Sequence, residues 1–314
     1  MPSPDPCVVI LATGGTIAGR AARAEDNLGY SAAQLSGAEL VAAVPALQDV
    51  PLEVHQVAQL DSKDMDEATW RALARACHQH LARPEVQAIV ITHGTDTLEE
   101  TGYFLHRVLP ASKPVVLTAA MRPATALAPD GPQNLLDAVT TARWPGAAGV
   151  LAVLAGRVHA AADVRKLHGY RVEAFSSGEA GAVALVEEGQ LRTLRNWPVS
   201  ALHKHALQAL SSPRWPWVEL LTSHADADPR AIEALVAAGV QGLVIAGTGN
   251  GTVHQRWLAA AQRAHQHGVR VVRSSRCLLG GVVGSDASGL PSYGALTPPQ
   301  ARIELLLDLM ASSR

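Results

Sequence analysis

Short apolar runs of five or six residues recur along this chain, separated by longer amphipathic stretches, and that alternation limits the fold more than any other feature. The runs are Cys7–Ala12, Ala88–Thr92, Pro114–Ala119, Gly149–Leu154, Trp217–Leu221, Gly242–Ala246 and Val269–Arg273. Most are rich in Val, Ile and Leu with little polar alternation, which predicts strands buried on both faces of a parallel sheet. The stretches between them predict helices over Leu40–Ala43, Glu67–Ala82, Thr97–Leu109, Pro132–Ala142, Pro229–Ala238, Val253–His267 and Pro298–Met310. Asp228 before Pro229 and Thr297 before Pro298 each set a capping side chain ahead of a first-turn proline. Strand and helix alternate in both halves, so the expected class is α/β throughout.

A length of 314 residues suggests two domains. Periodicity is weak over Glu187–Pro216, which holds Asn196-Trp197-Pro198 and Ser211-Ser212-Pro213. The expected division is therefore an N-terminal catalytic domain at 1–190, a linker at 191–214 and a C-terminal domain at 215–314. Hydrophobic residues make up 48% and charged residues 17%, enough apolar material for two cores. The net charge is −2 and no basic stripe is present, so nucleic acid is not an expected partner. Met1–Cys7 lacks a basic and apolar leader pattern, and no apolar run approaches a membrane span. Three cysteines, Cys7, Cys77 and Cys277, suggest reduced thiols and a cytoplasmic protein. Aromatic residues are only 4%, so a ligand pocket is expected to be lined by small side chains and backbone.

Two strand ends carry chemistry. The first run leads into Thr13-Gly14-Gly15-Thr16, which exposes backbone N–H groups and a hydroxyl at the carboxyl edge of a sheet, where open α/β folds bind ligands. A plain tight turn explains this loop equally well. A phosphate cradle does not, because neither G-x-G-x-x-G nor G-x-x-x-x-G-K-[ST] is present. The second run ends in His93-Gly94-Thr95-Asp96-Thr97, followed by Leu98-Glu99-Glu100-Thr101. Helix capping explains Thr95 or Asp96 alone, but not a second strand end bearing Thr and Gly. A hydroxyl becomes a nucleophile when a neighbour takes its proton. Lys166, in Asp163-Val164-Arg165-Lys166, is one candidate base among many solvated lysines. The histidine pairs His78/His80, His203/His205 and His265/His267 read as surface residues, since rings two apart on a helix diverge. No metal site is expected. His93 reads as a buried hydrogen-bonded group, the tryptophans as packing residues and Met121-Arg122-Pro123 as scaffolding.

Ala12–Ala18 and Thr92–Thr101 are similar to the two signature segments of bacterial L-asparaginases. The likeness continues through Ala120-Met121-Arg122-Pro123, Asp130-Gly131-Pro132-Gln133-Asn134, Gly249-Asn250-Gly251 and Arg273-Ser274-Ser275-Arg276, in order over nearly the whole chain. It implies a larger N-terminal flavodoxin-like parallel-sheet domain and a smaller C-terminal α/β domain. It also implies hydrolysis of L-asparagine to L-aspartate and ammonia through a threonine acyl-enzyme, without a cofactor. By position, Thr16 matches the nucleophile and Tyr30 its polarising partner. Thr95, Asp96 and Lys166 match the second cluster, in which the lysine activates the threonine or water and the aspartate holds the α-ammonium. Ser62 matches the residue on the α-carboxylate. Gly15 and Gly94 supply backbone beside the two threonines for substrate and oxyanion. The family's assemblies imply a homodimer or homotetramer with sites at the intimate dimer interface.

Two departures stand out. Lys63 follows Ser62 where many relatives carry Gln or Glu toward the α-ammonium, so Lys63 either lines the substrate site or turns to the α-carboxylate, Asp64, Asp286 or solvent. Gly280–Tyr293 holds no glutamate to cross a dimer interface; its one acid is Asp286. Fewer acids around the head group imply low glutaminase activity. Other amide substrates, an amino-acid sensor and a nucleotide-binding protein are the competing readings. The two threonine clusters count against a sensor, and the missing phosphate motifs against a nucleotide protein.

Overall fold

The computed structural model describes residues 6–285 and 288–310. The chain divides into two compact units between Leu202 and His203. The first is built on eight strands: β1 (Cys7–Gly14), β2 (Leu52–Leu60), β3 (Val86–Thr92), β4 (Val115–Thr118), β5 (Val150–Leu154), β6 (Arg157–Ala160), β7 (Ala184–Glu187) and β8 (Gln190–Thr193). Their order is β8-β7-β6-β5-β4-β3-β1-β2. The pairs among β1 to β5 are parallel, and β6, β7 and β8 continue the sheet antiparallel. The parallel part therefore reads 2-1-3-4-5, the flavodoxin-like winding, in which sheet growth reverses between β1 and β3.

Residues of both parities in β1 and β3 are buried, as expected of a sheet covered on two sides. Val8, Ile10, Ala88 and Val90 join a core with Leu40 of α1 (Gly37–Ala42) and Leu135, Ala138 and Val139 of α4 (Gly131–Ala142). Val9, Leu11, Ile89 and Ile91 are buried on the other parity, where α2 (Glu67–Leu81) and α3 (Leu98–Val108) contact the sheet. Trp70 of α2 stacks on Phe104 of α3, 5.1 Å between centroids. α1 starts at a Ser36/Glu39 capping box, three residues before the expected helix.

β2 escapes the search for apolar runs because it is an edge strand that mixes polar and apolar residues without a steady alternation, all of them half-buried or exposed. β6, β7 and β8 are short, and the last two carry exposed charges, so they lack the same signal. The segment expected as a linker, 191–214, holds the end of β8, a Trp197 packed against the first unit's core, and helix α5 (Ala206–Ser211) of the second unit.

The second unit contains three parallel strands, β9 (Val218–Thr222), β10 (Gly242–Gly247) and β11 (Arg270–Ser275), with helices α6 (Arg230–Ala237), α7 (Gln255–Gln266) and α8 (Pro298–Leu309). Leu243 and Ile245 of β10 pack with Ile232 of α6 and Trp257 of α7. A Cβ on Gly242 would meet Leu305 and Leu309 at 3.0 Å or less, so α8 covers the alternate face. Fully buried Arg273 donates to the carbonyls of Leu290, Asn250 and Gly284, which ties two loops to β11. Among the described residues no helix is long and apolar enough to cross a membrane.

Candidate active site

β1 and β3 end side by side at the reversal point, and three loops meet there. The first follows β1. Gly15 sits at φ 82° and its N–H donates to Leu60 O at 2.9 Å, while Thr13 Oγ1 donates to Thr92 O at 2.9 Å. A Cβ on Gly15 would lie 2.3 Å from Gly94 Cα, and a Cβ on Gly94 would lie 2.3 Å from Ser62 Oγ. Only glycine at both positions lets the loops after β1 and β3 pack backbone to backbone while the Ser62 side chain of the loop after β2 sits against Gly94.

Buried Thr16 opens a short 3₁₀ turn, and its Oγ1 lies 2.6 Å from Tyr30 OH. Tyr30 is held by pairing of Tyr30–Ser31 with Arg20–Ala21. Ser62 is buried in the turn after β2. Its Oγ accepts from Asp96 N–H at 3.1 Å, and Thr97 Oγ1 donates to Ser62 O at 2.8 Å. The Ser62 hydroxyl hydrogen therefore remains to be donated elsewhere.

Thr95 is 4% exposed. Lys166 Nζ donates to Thr95 Oγ1 at 2.9 Å and to Asp96 Oδ1 at 2.6 Å. The lysine side chain is 17% exposed and the aspartate 51%, so the pair faces outward from a buried hydroxyl. Lys166 belongs to a two-residue strand pair with Phe175–Ser176, and its N–H donates to Glu99 Oε2 at 2.8 Å. Burial lifts the Glu99 carboxyl above its usual range, against the lowering effect of that bond.

Beneath Thr95 the hydrogen bonds have one direction. Trp70 Nε1 can only donate, and does so to Thr101 Oγ1 at 2.8 Å. Thr101 Oγ1 lies 3.0 Å from His93 Nε2, and His93 Nδ1 lies 2.7 Å from Gly94 O. The Gly94 carbonyl can only accept, so Nδ1 carries hydrogen. Burial holds the ring's pKa down at about 4, so it is neutral near pH 7 and Nε2 accepts from Thr101. His93 thereby orients the Gly94–Thr95 peptide.

Two models match in sequence: the asparaginase N-terminal domain over residues 7–199 and the glutaminase/asparaginase C-terminal domain over residues 217–313. The chain belongs to the asparaginase family. Asparaginase relatives include a probable periplasmic L-asparaginase of Haemophilus influenzae, 36% identical over 97% of this chain and 88% of that one. A glutaminase-asparaginase of Acinetobacter glutaminasificans is 35% identical over 96% and 94%. The crystal structure of a probable cytoplasmic L-asparaginase from Campylobacter jejuni superimposes with a TM-score of 0.92 at 34% identity, over 99% of this chain and 97% of that one. The asparaginase match covers both units, and the chain is an asparaginase-type hydrolase.

Within this asparaginase fold Gly15, Thr16, Tyr30, Ser62, Gly94, Thr95, Asp96 and Lys166 all lie in the three loops or reach them. Lys63 is adjacent in sequence, but its Nζ donates to Asp61 at 2.8 Å and Asp64 at 3.1 Å, and its side chain is 61% exposed. Asp286, another expected partner of Lys63, lies outside the described residues. Sequence reasoning passed over Glu99, Trp70 and Thr101. Glu99 and Thr101 lie in the quoted second signature, while Trp70 gave no sign of a polar role. The reading of all paired histidines as surface residues fails for His203, which is buried in a non-helical segment and bonds to Asp308 at 3.2 Å.

Proposed function

We propose that the chain hydrolyses L-asparagine to L-aspartate and ammonia through an ester on Thr16. The observation that carries this reading is the pair of hydroxyls with polar partners, Thr16 on Tyr30 at 2.6 Å and Thr95 on Lys166 at 2.9 Å, on loops locked together at Gly15 and Gly94. Thr16 Oγ attacks the amide carbon, its proton passes by way of the Tyr30 hydroxyl to the amide nitrogen, the C–N bond breaks and ammonia departs. Thr95 with Lys166 activates the water that resolves the ester, returning the proton to Thr16. Backbone N–H groups beside Gly15 and Gly94 receive the developing oxyanion. Ser62 donates its free hydrogen to the α-carboxylate, and Asp96 takes the α-ammonium.

The Lys63 ammonium, engaged by Asp61 and Asp64, stays out of the head-group contacts. With few acids around the ammonium, glutamine, one methylene longer, is turned over poorly. Relatives named glutaminase-asparaginase make this the point to test. Ammonia release from asparagine, glutamine and D-asparagine separates the readings. L-asparagine should lead in kcat/KM, and Thr16→Ala, Thr95→Ala and Lys166→Met should each lower kcat by roughly 10³ or more. A Thr16→Ala enzyme of near-normal kcat removes the acyl-enzyme reading.

An exposed free Cys277 suits a reducing compartment, so the cytoplasm is the proposed location. Leu278, Leu279 and Val283 are exposed on the second unit, an apolar stretch of the kind covered on assembly. The working form is therefore a homodimer or homotetramer. Light scattering on active enzyme should give a multiple of 32.9 kDa, and an active monomer sinks the proposal.

A further inference from the structure

Away from the three loops, β2 forms one outer edge of the eight-stranded sheet, and the two-residue period of a strand puts Glu53 and His55 on one side of it. His80, in the last turn of α2, meets them there. One carboxylate oxygen of Glu53 and one ring nitrogen from each histidine all lie within 4.8 Å of one another. The two imidazole centroids are 4.8 Å apart. His78 and His80 diverge on their helix, but His80 finds a partner across the tertiary contact.

The hydrogens in this cluster follow from its donors. Arg83 can only donate. Its Nη1 lies 3.0 Å from His80 Nδ1 and 3.0 Å from Glu53 Oε1, and its Nη2 lies 2.9 Å from Glu53 Oε2. His80 Nδ1 therefore bears a lone pair aimed into the cluster. His55 Nε2 lies 2.6 Å from Glu53 Oε1, an acceptor, and so donates to it. Lone pairs from two elements thus converge on a single cationic position, filled by the Arg83 guanidinium. Arg83 also has an anchor outside the three, Nε to Glu85 Oε1 at 2.9 Å. It can release Glu53 and His80 while keeping a carboxylate partner.

We propose that Glu53, His55 and His80 bind a divalent metal ion of the zinc type, which takes the position of the Arg83 guanidinium. Two imidazole nitrogens and a carboxylate oxygen, with water in the fourth position, are a set that zinc accepts; magnesium and calcium prefer oxygen alone. On binding, the His55 ring changes tautomer, its Nε2 proton being exchanged through solvent for one on Nδ1, so that Nε2 offers its lone pair to the metal while the ring stays neutral. The ion cross-links the edge strand that leads to Ser62 with the helix that carries Trp70.

The test is calorimetric titration of chelator-stripped protein with zinc chloride. The expected result is one equivalent per chain, weakened roughly ten-fold or more by either His55→Ala or His80→Ala. Arg83→Gln should tighten binding, because the competing cation is gone. Adventitious binding by scattered surface histidines predicts no response to Arg83→Gln, and that result overturns the proposal. Unchanged affinity in His80→Ala overturns it, as does failure to bind in both the parent protein and Arg83→Gln. All four side chains are partly solvent-exposed, and near-ultraviolet circular dichroism confirms that each variant is folded before titration.

Discussion

Trp70 has one hydrogen to give and no lone pair to offer, and its donation sets the chain of bonds that ends at the Gly94 carbonyl. If that chain holds the 94–95 peptide for catalysis, the donor at the Nδ1 position matters and the volume of the ring alone does not. His93→Asn retains an N–H near that position, whereas His93→Leu removes it at similar bulk. The Leu variant should lose kcat by roughly 10- to 100-fold, the scale of an ångström-sized misplacement, and the Asn variant should recover most of it. Nitrogen NMR of labelled histidine should find the neutral Nδ1–H tautomer at pH 7. Equal kcat in the two variants would reduce His93 to a packing residue. At this scale the nucleophile candidates were legible because each hydroxyl adjoins a glycine at a strand end. Lys166 became specific only through the family resemblance, since a lone lysine in a loop carries no mark of its partner 71 positions away. Trp70 and Thr101 were not legible as a relay, because a tryptophan 31 residues from its acceptor looks like any other core aromatic.

The elements place the site through strand order. β1 and β3 were readable as buried apolar runs, and their neighbouring carboxyl ends define the reversal point where such sheets bind ligands. β2 was not readable, although it delivers Ser62, because its polar and apolar residues follow neither an unbroken apolar run nor a steady alternation. The antiparallel strands β6, β7 and β8 were missed because each is only four residues long and each is interrupted by polar or charged residues. The meeting of the loops also depends on Gly94, where a Cβ would lie 2.3 Å from Ser62 Oγ and 2.7 Å from Ser62 Cβ. Gly94→Ala should destabilise the first unit by about 1–3 kcal/mol, as overpacking does, and reduce activity through the displaced Ser62. Trimming the obstacle with Ser62→Gly should return part of that stability in the double variant, a coupling a thermal-unfolding cycle can read. Strict additivity of the two changes would show that the loops have room to separate.

For the molecule as a whole, the α/β class was legible in both halves, since each buries its own alternating runs; the end of the first unit was not, because β8 is only four residues long and three of them are polar and exposed. Whole-molecule stability also reflects what the first unit buries. His93 and His159 are both buried, which holds their pKa values at about 4, with Arg157 and Arg195 adding to the effect on His159. The unfolded chain protonates both near pH 6.5, while the folded protein resists until about 4. Between these values the unfolded state binds more protons, so stability falls as pH falls, by at most about 1.4 kcal/mol per pH unit for each histidine. Glu99 and Asp137 act in the opposite sense: burial raises their pKa values, so the folded state takes up protons more readily and gains relative stability as they protonate. Glu53, held down at about 2 mainly by Arg83, contributes stability above the ordinary glutamate range and loses it as pH falls from there through 2. Near pH 6 the two histidines act together, and Glu99 and Asp137 oppose them to the extent that they take up protons there. Urea midpoints at pH 7.5, 6.5 and 5.5, taken at one protein concentration because assembly shifts them, should decline with pH. His159→Gln keeps a hydrogen-bonding side chain toward Ser177 but cannot titrate, so it should flatten the decline even if it lowers stability at pH 7.5. Parallel curves for parent and variant would remove His159 from the account and leave the acid sensitivity to be sought at His93.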